Sequence, residues 1–75
     1  MTFEKVRDMI ASQLQMDAAS ITPESRLVED LRADSANVMV MILELETEFG
    51  LEVEDEVILS LKTVGDVVKY IDAHQ

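Results

Sequence analysis

Between Asp34 and Gly50 the chain carries eight large apolar residues, Val38, Met39, Val40, Met41, Ile42, Leu43, Leu45 and Phe49. That is too many for the single apolar stripe of a surface helix, so in a chain of only 75 residues the fold has to be built around this stretch. The spacing predicts a helix from Ser35 or Ala36 to Phe49, closed by Gly50 as the left-handed residue that ends many helices. Met41, Leu45 and Phe49 follow one face at four-residue steps, with Val38 and Ile42 beside them, and that face is expected in the core. Val40, with Met39 or Leu43, then leans toward solvent or a partner, while Glu44, Glu46 and Glu48 crowd the second half.

The helix starts at a polar pair. Asp34 and Ser35 both suit an N-cap, because a short side-chain oxygen accepts from the unpaired N–H groups of the first turn. Those N–H groups and the positive end of the helix dipole also favour an anion, such as a phosphate carried on the Ser35 hydroxyl. From these two residues alone, a serine that does no more than cap is the better account, since cap serines are far commoner than modified ones, and the rest of the chain must shift that balance.

Before this helix, Phe3, Val6, Ile10 and Leu14 recur at three- and four-residue steps and predict an amphipathic helix from Thr2, a plausible cap, to about Gln15. The connection from Asp17 to Asp34 is long for so small a domain, which points to a functional loop or hidden turns. Thr22-Pro23-Glu24-Ser25 reads as one such turn, with Thr22 capping and Pro23 at the first helical position, and Ile21, Leu27 and Leu31 should pin the loop to the core. After Gly50, Leu51 and Val53 alternate with acids and predict an extended segment tucked onto the core. Val57, Ile58 and Leu61 predict a short helix over about Asp55 to Ser60. Thr63 with Asp66 three residues on forms a capping box, and Val64, Val67, Val68 and Ile71 carry a last helix to about Ala73. Strand signals are weak, and the fold class read from this pattern is all-α: three main helices plus one short helix, one domain over residues 1–75.

Without cysteine, neither disulfides nor a thiolate metal site can hold the chain together, and any reactive thiol has to come from an attached group. No apolar run approaches the roughly eighteen residues of a membrane span, and the first residues lack a secretory signal pattern, so a cytoplasmic protein is expected. Sixteen acids against six bases give a net charge of −10, which repels nucleic acid and anionic membrane and makes basic protein surfaces the natural partners.

Enzyme chemistry finds little support. His74 is the only histidine and lies at the end of the chain, a poor place for the base of a Ser-His-Asp arrangement with Ser35. No carboxylate pair is singled out by its spacing, and the acids Glu52, Glu54, Asp55 and Glu56 lack the alternating ligands and central glycine of a calcium loop. No catalytic residue and no dedicated metal site is expected.

Three separated stretches, Asp30-Leu31-Arg32-Ala33-Asp34-Ser35, the run from Leu43 through Glu48-Phe49-Gly50 to Val53, and Leu61-Lys62-Thr63-Val64-Gly65-Asp66 through Ile71, together resemble an acyl carrier protein over nearly the whole chain. The resemblance implies a helical bundle of that family's kind and a phosphopantetheine, derived from coenzyme A, attached covalently to Ser35. The thiol of that arm would carry acyl groups as thioesters in fatty-acid, lipid or polyketide-type synthesis. It also implies that Asp34 helps a phosphopantetheinyl transferase hold its magnesium. The acyl chain would fold back between the helices, and acids of the second helix would steer basic-surfaced synthase and transferase enzymes to a monomeric carrier.

The chain departs from that family's pattern at four positions. Ala36 stands where leucine or methionine usually follows the serine; Asn37 and Val40 stand where acids are common; Arg32 replaces a frequent glycine. These departures imply a specialised carrier whose partner surface comprises Ala36, Asn37, Met39, Val40, Glu44 and Glu48. The competing readings are a carrier of aminoacyl groups, of D-alanyl or peptidyl type, and an unmodified acidic adaptor of the same fold, for which Ala36 is the best argument.

Overall fold

A computed structural model describes residues 2–74, with the side chain of Ser35 outside the described part. Four helices follow in order: α1 (Thr2–Leu14), α2 (Ser35–Phe49), α3 (Asp55–Ser60) and α4 (Val64–Ala73), with a single 3-10 turn at Ala18–Ser20. The described residues contain no strand, only one antiparallel bridge between Arg26 and Thr63.

α1 packs against both α2 and α4. Val6 and Ile10 of α1, Met41, Ile42 and Leu45 of α2, and Val64, Val67 and Ile71 of α4 form the buried centre. Phe49 and Val38 pack against its edge half-buried, whereas Met39, Val40 and Leu43 are 44%, 40% and 58% exposed, so the expected division of α2 into a core face and an outward face holds. The expected cap at Thr2 does not form: Thr2 lies inside α1, and its hydroxyl donates to Asp72 of α4 at 2.7 Å.

Backbone geometry sets the helix ends. α1 and α2 each run into a left-handed residue, Gln15 (φ 55°) and Gly50 (φ 65°), after which the next N–H turns back to a carbonyl five residues earlier: Met16 to Ala11 at 3.0 Å and Leu51 to Glu46 at 3.2 Å. α4 opens on the expected capping box, in which the Thr63 hydroxyl accepts from the Asp66 N–H and the Asp66 carboxylate accepts from the Thr63 N–H.

The long connection is ordered by turns and by a distant partner. Ile21, Leu27 and Leu31 are buried as expected. At the Thr22–Ser25 turn the polarity is the reverse of the expectation, because the Ser25 hydroxyl accepts from the Thr22 N–H at 2.9 Å. The turn then bonds to the approach to α4: Leu27 N–H donates to the Lys62 carbonyl at 2.9 Å, Val64 N–H to Ser25 at 3.0 Å and Gly65 N–H to Pro23 at 2.8 Å. A β-carbon on Gly65 would lie 2.9 Å from the Pro23 carbonyl oxygen, so only glycine permits this approach. On the other side of α2, the Glu46 carboxylate accepts from the Val53 N–H at 2.8 Å and Tyr70 donates to the Glu52 carbonyl at 3.1 Å, which ties down the 51–53 segment.

Candidate functional site

The site is built where the long connection delivers Ser35 to the first position of α2. Leu31 and Ala33 are buried, at 8% and 1% exposure, and anchor the approach on either side of an exposed Arg32. Ala33 N–H donates to the Leu27 carbonyl at 3.0 Å, which fixes the last residue before the cap. Asp34 is the N-cap: its Oδ1 accepts from the Asn37 N–H at 2.9 Å, and Asn37 Oδ1 accepts from the Asp34 N–H at 3.3 Å. Asn37, expected on the partner surface, is therefore half-buried and reciprocates the cap. Ser35 itself is fixed as the first helical residue, and its side chain lies outside the described residues.

The electrostatics at this end are uneven. No acid occupies the first turn of α2, so its N–H groups and dipole act beyond the Asp34 cap without a further negative side chain. A few residues upstream Arg26 holds two carboxylates, Glu29 at 2.6 Å and Asp30 at 3.0 Å. Hydrogen bonding from the Arg26 guanidinium and backbone N–H keeps the Asp30 carboxyl below the usual carboxylate range.

The outward residues of α2 divide between two surfaces. Met39 lines a groove of about 480 Å³ with Val28, Val38, Ile58, Leu59 and Leu61, between the long connection, α2 and α3. Leu59 and Val28 are 76% and 63% exposed at its mouth. Val40, Glu44 and Glu48 instead border a shallow depression between α1 and α2, together with Met9, Lys5 and Asp8. The candidate partner residues are thus not one patch: Met39 faces one way, Val40 with the two glutamates the other, and Ala36 lies exposed near the helix start.

His74 caps the far end of α4, stacked 4.0 Å from the Tyr70 ring, with Nδ1 2.8 Å from the Tyr70 carbonyl oxygen. Among the described residues no cluster of His, Cys, Asp or Glu is arranged to hold a metal ion, and no helix is long and apolar enough to cross a membrane. The groove beside α2 and the Arg26 cluster escaped sequence reading. Exposed Leu59 and Val28 were the available signals, since both break the polar face of their segment.

A family model described as "Phosphopantetheine attachment site" matches residues 4–71. The acyl carrier protein of Clostridium acetobutylicum is 50% identical over 74 residues, covering 99% of this chain and 96% of that protein. That of Helicobacter hepaticus is 46% identical over 74 residues, covering 99% and 97%. Among solved structures, the acyl carrier protein from Enterococcus faecalis superposes with a TM-score of 0.84 at 38% identity, covering 99% of this chain and 94% of that one. A Mycobacterium tuberculosis protein described as an acyl carrier protein superposes with a TM-score of 0.94 at 32% identity over the full length of both chains.

Proposed function

Since this chain belongs to the acyl carrier protein family, we propose that its phosphopantetheine arm is attached to Ser35 and that it shuttles acyl groups between enzymes of fatty-acid, lipid or polyketide-type synthesis. Membership makes it an acyl carrier and not a catalyst, with a covalent phosphopantetheine and with synthase and transferase enzymes as partners. When bound, that group supplies the thiol that holds the acyl chain.

The observation that carries the reading is the start of α2, where a serine stands first in a capped helix beside an apolar groove. The residues there suit a phosphodiester. The first turn carries no acid, its N–H groups favour an anion, and exposed Ala36 adds only a methyl group to the rim. Asp34 is exposed, and its Oδ2 accepts from none of the described residues, which leaves it available to the magnesium of a modifying transferase. The groove lined by Val28, Val38, Met39, Ile58, Leu59 and Leu61 suits the shelter of an aliphatic chain, because methionine and branched aliphatic side chains repack more readily than rigid rings.

Partners meet this carrier through α2. Exposed Glu44 and Glu48 attract basic surfaces, and exposed Val40 beside them adds an apolar contact that favours dedicated enzymes over general ones, while Met39 lies on the groove side of the helix. Val40→Glu should leave stability unchanged, because the side chain is 40% exposed, and should slow transfer with a dedicated partner roughly tenfold. Unchanged rates with every partner would contradict this.

The test of the main reading is the intact mass after incubation with coenzyme A, magnesium and a broad-specificity phosphopantetheinyl transferase, beside a Ser35→Ala control. A phosphopantetheine mass added to the wild type alone supports it. No addition to the wild type, with the transferase active on another carrier, counts against it.

A further inference from the structure

We propose that Arg32 is a positioning residue whose guanidinium grips the phosphodiester of the arm at its root; this rests on Ser35 as the attachment residue.

The starting point is an imbalance. With sixteen acids and six bases in the chain, an arginine has carboxylates within easy reach, and Arg7 and Arg26 both take them. Arg32 makes no ion pair among the described residues, although Glu29, Asp30 and Asp34 all lie within three positions of it. Glu29 and Asp30 are held by Arg26, and Asp34 Oδ1 accepts from the Asn37 N–H, with Asp34 Oδ2 left open among the described residues. Arg32 is left as an exposed cation two residues before the cap of α2, bordering a depression lined by Val28, Glu29, Ala33 and Asp34.

Its placement is fixed by its neighbours. Leu31 and Ala33 are buried on either side, so the backbone at Arg32 cannot relax without pulling one of them from the core. It holds φ at 60°, a left-handed conformation that costs a residue with a β-carbon about 1–2 kcal/mol. An arginine with a fixed, strained backbone and no ion pair among the described residues, three positions before Ser35, has its guanidinium free for a ligand. The two non-bridging oxygens of a phosphodiester share one negative charge in the geometry that a guanidinium binds with paired N–H donors. Ala36, reduced to a methyl, puts no bulk at the rim of the site. The grip restrains the base of the arm and leaves its distal end to move.

The test compares wild type, Arg32→Lys and Arg32→Gln, unloaded and loaded, with loading verified by intact mass. Glutamine keeps the β-carbon and hence the backbone strain, so the difference between loading shifts isolates the charge. Loading should raise the melting temperature of the wild type by roughly 2–4 °C more than that of Arg32→Gln, with Arg32→Lys between them and the excess lost at high salt. In the loaded wild type the Arg32 Nε–H resonance should move further from its unloaded position than those of Arg7 and Arg26. Equal melting shifts and an unmoved Arg32 resonance in protein carrying the added mass would overturn this proposal alone. Failure of the wild type to gain mass would overturn the Ser35 reading and this one with it.

Discussion

Gly50 and Arg32 sit in the same left-handed backbone region, at φ 65° and 60°, one a glycine and the other not. Apart from its own and the two adjoining residues, no heavy atom lies within 4 Å of where a β-carbon on Gly50 would be, so the cost of Gly50→Ala is conformational. We expect it to lower stability by about 1 kcal/mol in urea unfolding, since left-handed backbone disfavours a β-carbon by that order. A variant as stable as the wild type would show that the end of α2 rearranges freely. Gly50 was legible in the sequence because a glycine after an apolar helix has a known use. The left-handed conformation of Arg32 was not legible from the residue type, its one available sign being the resemblance to a family in which glycine is frequent there. Asp34 was legible as a cap, but its reciprocal bond with Asn37 was not, because asparagine at that position reads equally well as an exposed side chain.

At the scale of elements, period and caps carried nearly all the information. α2, α3 and α4 begin and end within a residue of where apolar spacing, Gly50 and the Thr63–Asp66 box put them. The connection between α1 and α2 was opaque for a physical reason: its bonds run from residues 23–27 to residues 62–65, and no local pattern announces a partner almost forty positions away. Asp66 joins both kinds of information, since its Oδ2 accepts from the N–H groups of Lys62 and Thr63 at 3.0 and 3.1 Å. Those bonds hold its folded pKa below the ordinary value of 3.8. A depressed carboxylate adds stability that is fully present above the unfolded pKa and is lost as pH falls through the folded one. Asp66→Asn should therefore be less stable than wild type by a constant amount above about pH 5, with the gap closing below about pH 4. A gap that stays constant down to pH 2 would mean that the charge of Asp66 does not support the cap.

For the whole molecule, a charge of −10 is spread over a body measuring 27 × 25 × 19 Å, and the four helices hold it against that repulsion with a core of aliphatic side chains and methionine. Three ion pairs are present among the described residues, all of them local and exposed, and they offset little of it. Raising ionic strength from about 0.01 M to about 0.5 M shortens the screening length severalfold, and we expect the melting temperature to rise on the order of 5 °C. A flat or falling melting temperature would show that self-repulsion is unimportant here. The same charge makes the carrier attractive to basic enzymes. The carrier reading turns on one covalent bond. Trypsin cleavage after Arg32 and Lys62 releases residues 33–62 as a single peptide with three hydroxyl side chains, Ser35, Thr47 and Ser60. Fragment-ion sequencing of that peptide from loaded protein should place the phosphopantetheine on Ser35; finding it on Thr47 or Ser60, or finding the peptide unmodified, would contradict the account.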